Sequence, residues 1–154
     1  MYQIGLWLHT GLRWLVLCSL VYTVGRALWG WRFRYSFTAT DDRVRHITAT
    51  IAHLQLMVGA TLYFISPLIR FFFSQGKQAM AYREATFFGI LHPLCMFTAI
   101  ILITIGSALA KRRPTDPEKF RTILIWFGIA LLLILLAIPW PWFSWVHRPL
   151  FRNF

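Results

Sequence analysis

The residues of this chain that could do chemistry are histidines and one arginine placed inside apolar stretches. His9, His53 and His92 each lie within a run of aliphatic and aromatic residues, and Arg13 follows His9 along the same run. Imidazole can donate or accept a proton near neutral pH and can ligate a metal. Ionisable side chains are costly in long apolar segments, so these residues indicate a functional site.

The segments that must position these residues are four stretches long enough to cross a bilayer, which needs about 20 mainly apolar residues each. They cover residues 4–29, 46–66, 85–110 and 123–140. The first stretch has no basic start and no cleavage site, so it is interpreted as a membrane span and not as a signal peptide. Short connections between the stretches predict one membrane domain over residues 1–154, an all-α, up-down-up-down bundle of four transmembrane helices.

The charge distribution predicts the orientation. The net charge is +11, and ten Lys and Arg residues lie in the connections that follow spans one and three, against five on the opposite side. By the positive-inside rule, both termini and the connection 67–84 are expected on the periplasmic side of a bacterial inner membrane. The basic connections would meet anionic lipid headgroups, and we expect no nucleic acid partner. The aromatic segment 138–145 is interpreted as an interfacial belt.

Depth in the membrane distinguishes the histidines. His9 lies roughly 11 Å and His92 roughly 8 Å to the outer side of the centres of their spans, at 1.5 Å per residue. Two imidazoles at similar heights on different helices are a usual way for a membrane bundle to hold a b-type haem. We therefore predict haem b with His9 and His92 as axial ligands.

Small residues and a free carbonyl near the two histidines could accommodate such a haem. The flat macrocycle needs small neighbours, and the candidates are Gly5, Gly11, Gly89 and Ala99. Because Pro93 lacks an N–H group, it leaves the Gly89 carbonyl free to accept a hydrogen bond from a ligating histidine. Two alternatives stay open for His9 and His92: a quinone or proton site, or hydrogen bonds that only hold helices together.

His53 is predicted to have a different role. It lies roughly 4–5 Å to the cytoplasmic side of its span's centre, where no other helix offers a histidine. A second haem is therefore not favoured, and His53 is interpreted as a quinone hydrogen-bond donor, a proton relay or a structural contact. Neither Cys18 nor Cys95 belongs to a CxxC or CxxCH pattern, so covalent c-type haem is excluded and zinc is not expected.

Arg13 shares a helix face with His9. Placing arginine near the bilayer centre costs about 2.5–3.5 kcal/mol on insertion scales, so a partner is expected. Its side chain should lean back past His9 toward the periplasm, because helical side chains tilt toward the N-terminus. The expected partner is a haem propionate, a lipid or quinone headgroup, or an acidic residue of another subunit. The alternative is that Arg13 only extends its charge toward the interface.

The whole chain also resembles a known family. The segments that carry the resemblance are "HTGLRWLVL" (9–17), "AHLQLMVGATLYFISP" (52–67), "HPLCMFTAIILITIG" (92–106) and "GIALLLILLAIPW" (128–140). They are similar to small four-span membrane proteins of Bacteroidota that are loosely labelled "cytochrome B". The resemblance covers all four spans, implies a bacterial inner membrane and is compatible with haem. It assigns no role to a particular residue.

The function predicted from these features is a small b-type cytochrome-like electron carrier that exchanges electrons with quinone. Two histidine ligands leave the iron no position for a substrate, so we expect an electron carrier or complex subunit and not a stand-alone enzyme. One alternative is a cofactor-free accessory subunit of a larger inner-membrane complex, or a homo-oligomer. Another is a proton or small-solute transporter, although the five carboxylates all lie at span ends or in connections.

The predicted orientation can be tested with a reporter that is active only in the cytoplasm. Fused to Phe154, the reporter should give no signal. Inserted after Arg34, in the basic connection between spans one and two, it should give a strong signal. The reverse pattern would contradict the orientation and the depths assigned to the histidines.

Overall fold

The apolar stretches form long α-helices in the computed structural model, which describes residues 2–142 and 146. The elements are α1 (Tyr2–Arg32), α2 (Ala39–Ile65), α3 (Pro67–Gln75), a 3₁₀ segment (Gly76–Ala81), α4 (Arg83–Thr86), a π-helical turn (Phe87–Leu91), α5 (His92–Arg112) and α6 (Asp116–Ala137). Helices satisfy their own backbone hydrogen bonds, as hydrocarbon requires. Four helical segments are long and apolar enough to span a membrane: α1, α2, Arg83–Arg112 and α6. The predicted all-α four-helix membrane bundle is confirmed.

The start of α2 is set by a polar cap and not by the apolar stretch. Thr38 and Asp41 form a capping box, in which the Thr38 N–H donates to Asp41 Oδ2 at 2.8 Å and the Asp41 N–H donates to Thr38 Oγ1 at 3.4 Å. The helix therefore begins at Ala39, well before the apolar stretch that starts at His46. The same carboxylate accepts a hydrogen bond from Arg26 Nε at 2.6 Å, which ties α2 to α1.

The connection 67–84 is largely helical. Pro67 stands at the first position of α3, where its missing N–H is not needed. Phe72 packs against Ala79 and Ala85 in a small cluster of buried residues. Hydrophobic burial within this segment therefore stabilises it although it contains several polar residues.

The fourth span ends before its predicted limit at Trp140. Ile138 is extended, because the residue before a proline avoids the helical conformation, and α6 stops at Ala137. Beyond it, Trp140 and Trp142 stack with ring centroids 5.1 Å apart. The rest of the expected aromatic belt, residues 143–145, lies outside the described residues, as do residue 1 and residues 147–154.

The four spanning segments form a closed ring with three extensive seams and one sparse one. Helix α1 packs against α2 and α6, and α5 packs against α6, whereas α2 and α5 meet over a smaller surface. Helices α1 and α5 therefore lie diagonally across the bundle. Leu20, Ile103 and Phe127 are fully buried between the helices. The α2–α5 seam is where the bundle has room for a cavity.

Two glycines provide a matched test of helix packing. A Cβ at Gly106 of α5 would collide with the Cβ of Trp126 on α6, whereas a Cβ at Gly128 would meet nothing within 4 Å. Gly106→Ala should lower the free energy of unfolding by about 1–3 kcal/mol, because the two backbones must move apart. Gly128→Ala should be neutral or stabilising, since alanine favours helix by up to about 1 kcal/mol. Unfolding of the detergent-solubilised variants measures both effects, and equal stability of the two would contradict this account of the α5–α6 seam.

Candidate functional site

A cavity of about 530 Å³ lies inside the bundle, in the half that contains the start of α1. Its walls come from α1, α2, α5 and α6, with the first residues of α3 at one end. The polar residues in its centre are His9, Thr10, Arg13, Gln55 and His92. Small-molecule sites in proteins usually have volumes of about 300–1,000 Å³, so the cavity has the size of a ligand site.

The cavity opens sideways through the α2–α5 seam. Phe64 of α2 and Phe97 of α5 both line it, yet they are 81% and 56% exposed. By contrast, the lining residues at its deep end, Val16, Ala52 and Ile134, are buried. The opening therefore faces the surface of the spanning helices, which is the surface that a bilayer covers. A ligand of this cavity would reach it from hydrocarbon.

His92 is held in one tautomer by the end of α6. Its Nδ1 donates to the Ala137 carbonyl oxygen at 2.9 Å, one of the last carbonyls of α6 and therefore without a helical partner. The Nε2 atom consequently keeps its lone pair. The predicted acceptor, the Gly89 carbonyl, was the wrong one, because it accepts a hydrogen bond from the Tyr63 hydroxyl at 2.9 Å.

His9 is held by Gln55 of α2. The Gln55 Nε2 group donates to the His9 carbonyl oxygen at 3.0 Å, which turns the amide N–H groups toward His9. The same nitrogen lies 3.4 Å from His9 Nε2, so Nε2 is the acceptor and the ring hydrogen is assigned to Nδ1. Both histidines thus carry the hydrogen on Nδ1 and a lone pair on Nε2.

Two buried polar atoms at this position make no hydrogen bond within the described part of the chain. They are His9 Nδ1 and Gln55 Oε1, a donor and an acceptor contributed by neighbouring side chains. Leaving such a group buried and unsatisfied costs about 1–3 kcal/mol. Both side chains therefore keep hydrogen-bonding capacity that the described residues do not use.

The two imidazoles are separated by a distance that fits a shared metal ion. Their ring centroids lie 6.4 Å apart and their planes are inclined by 71°. With imidazole nitrogen–metal bonds of about 2.0–2.1 Å, two rings that bind one ion from opposite sides through Nε2 have centroids roughly 6–6.5 Å apart. Ligation by His9 Nε2 would replace its present contact with Gln55.

The small residues that make room beside His9 belong to α2. A Cβ at Gly59 would lie 3.1 Å from His9 Cε1, and Ala52 and Ala60 also line the cavity. The glycines predicted for this purpose lie elsewhere, since Gly5 packs against Leu62 and Gly89 packs against Phe72. Gln55 and the small residues of α2 were missed although Ala52, Gln55 and Gly59 follow a helical spacing and share one face.

The structure places three of the four predicted site residues together. Arg13 lines the cavity with His9 and His92, and its guanidinium carbon lies 5.4 Å from the ring centroid of Trp14. His53 does not line the cavity. It is exposed on the outer side of the α2–α5 seam, where Nδ1 donates to the Ala49 carbonyl at 2.7 Å and Nε2 lies 3.1 Å from Thr104 Oγ1. Its functional role remains a prediction.

Comparisons with family models, curated proteins and solved structures gave no match. Across residues 2–142 and Val146, His, Cys, Asp and Glu side chains form no group of three or more that could hold a metal ion. Haem differs from such an ion because its macrocycle supplies four of the ligands, so two protein histidines are enough.

The contact between Gln55 and His9 yields a prediction for histidine nitrogen NMR. Gln55→Leu keeps a similar volume but removes the donor near His9 Nε2. The ¹⁵N signals of His9 should shift as its tautomer balance changes, with a loss of stability of about 1 kcal/mol. The signals of His92 serve as the internal control and should not move, because Ala137 fixes that ring. Unchanged His9 signals would contradict the assignment of its tautomer.

Proposed function

We propose that this multi-pass membrane protein is a b-type cytochrome-like electron carrier of a bacterial inner membrane. A haem would lie in the cavity between His9 and His92, and both termini would face the periplasm. One observation carries the proposal: two imidazoles line one cavity with centroids 6.4 Å apart, each assigned a lone pair on Nε2. The resemblance of all four spans to proteins labelled "cytochrome B" agrees with it.

His92 has the kind of partner that orients a metal-bound histidine. Such a histidine usually donates its other N–H to a carbonyl or carboxylate, which fixes the ring and raises its basicity. Ala137 already accepts from His92. His9 Nδ1 makes no such hydrogen bond within the described residues.

Arg13 supplies the positive charge in the cavity. In a medium of low dielectric constant, a cation strongly favours an anionic partner, so Arg13 is suited to a haem propionate. When bound, haem supplies one-electron redox chemistry. His9 and His92 would hold the haem, so we expect no substrate to bind at the metal. The opening to hydrocarbon between Phe64 and Phe97 favours a lipid-soluble quinone as the exchange partner.

The visible spectrum of the purified protein tests the proposal. The reduced protein should show sharp b-type bands, and His9→Ala or His92→Ala should abolish or broaden them, because each removes an axial ligand. His53→Ala is the matched control and should leave the bands intact, since His53 does not line the cavity.

Two outcomes would contradict the haem assignment. Colourless protein from haem-replete cells would favour a cofactor-free accessory subunit whose histidines only join helices. Loss of the bands in His53→Ala but not in the other variants would show that the wrong histidines were paired.

A further inference from the structure

His53 and Thr104 form a polar pair on the lipid-facing side of the α2–α5 seam. Both residues lie within spanning helices, their side chains are 3.1 Å apart, and the contact is exposed. The surrounding surface is apolar, with Leu54, Met57 and Ile101 between 42% and 64% exposed. Ionisable residues within membrane spans almost always face the protein interior. His53 is an exception, since its side chain is exposed on the surface of the spanning helices.

The hydrogen bonds of this pair fix what it offers to a ligand. His53 Nδ1 donates to the Ala49 carbonyl at 2.7 Å, so Nε2 keeps a lone pair. The hydroxyl of Thr104 has one hydrogen but two acceptors in reach, Ile100 O at 2.7 Å and His53 Nε2 at 3.1 Å. The pair can thus accept a hydrogen bond at Nε2 or donate one from Thr104, with only a rotation of the hydroxyl between the two states.

We propose that His53 and Thr104 bind the headgroup of a membrane quinone in both of its redox forms. A hydroquinone hydroxyl would donate to Nε2 of His53, and a quinone carbonyl would accept from the hydroxyl of Thr104. The ligand must be lipid-soluble, because the pair is reached from the bilayer. It must also be polar at one end, because an apolar ligand would leave the two polar atoms as they are.

The position of the pair agrees with this assignment. Ala52 and Ile100 are neighbours of His53 and Thr104 in their helices, and both line the cavity that contains His9 and His92. A headgroup on the pair would therefore lie beside helical turns that also line the cavity. The destination of its electrons rests on the haem proposed above, whereas the binding of the quinone does not.

Photolabelling with a short-chain azidoquinone tests the proposal on the purified full-length protein in lipid nanodiscs. Mass spectrometry should locate the label on peptides around His53 and Thr104, and excess unmodified quinone should suppress it. His53→Leu and Thr104→Val should each reduce labelling at limiting probe roughly tenfold, as expected for one lost hydrogen bond. Thr104→Ser should restore it.

Thr98→Val is the matched control. Thr98 is also exposed on α5, and its hydroxyl donates to Leu94 O within the same helix at 2.9 Å. It does not line the cavity, so its loss should not alter labelling. Because the control removes the same group from the same helix, a general effect on α5 would appear in both variants.

Several results would overturn the proposal. These are labelling of His53→Leu equal to that of the wild type, label outside the seam, label that excess quinone does not suppress, or His53 buried between two copies of the chain. Seam labelling that depends on His53 in a protein without haem bands would support the quinone site and reject the proposed haem. Haem bands without such labelling would support the proposed haem and reject the quinone site.

Discussion

The cavity exists because three helix seams close tightly and the fourth cannot. Apolar surface provides little drive for association in hydrocarbon, so helices stay together where their backbones approach closely or polar groups bond. Gly30 of α1 lies against the ring of Phe120, and Gly106 of α5 lies against Trp126, so both helices are drawn onto α6. Helix α2 is attached to α1 by the hydrogen bond between Thr23 and Thr48, at 2.8 Å. The width of the α2–α5 seam is then set by the other three.

Most of the polar bonds across this seam lie at one end. Arg45 of α2 is buried and donates through one guanidinium nitrogen to the Ser107 carbonyl of α5 at 3.1 Å, while Asp42 pairs with another at 2.8 Å. Further from that end, His53, eight residues after Arg45, meets Thr104. Beyond these contacts the small residues of α2 leave the helices apart, until Tyr63 of α2 bonds to the Gly89 carbonyl. The cavity thus lies between two bonded parts of the seam.

The sequence predicted the depth of each residue in the membrane better than the direction in which its side chain points. Counting residues at 1.5 Å each placed His9 and His92 at similar levels, and their rings lie close together. The direction of a side chain depends on which helix packs against each face of its own helix. That is decided by the packing of the whole bundle. His53 was predicted to be a site residue because it is ionisable. Gln55 comes two residues later and therefore lies about 200° around the helix, and it is Gln55 that faces the cavity. The membrane spans followed from hydrophobic length alone, whereas the helix ends needed caps such as Thr38 and breaks such as Pro139.

Pro93 shows how a local irregularity can change the direction of side chains while hardly changing their depth in the membrane. Because it has no N–H, the Gly89 carbonyl loses its helical partner, and the chain before it forms a π-helical turn in which the His92 N–H donates to Phe87 O. A π turn adds one residue, which rotates everything before it by about 100° but shifts it by only about 1.5 Å along the axis. Phe87 and Phe88 are thereby brought beside the His92 ring, with centroids 5.8 and 5.7 Å away. The same turn exposes the Gly89 carbonyl to the Tyr63 hydroxyl of α2. That bond joins α2 to the segment before α5 on the far side of the cavity opening. Pro93 therefore contributes both to the packing around His92 and to the helix contacts that border the cavity.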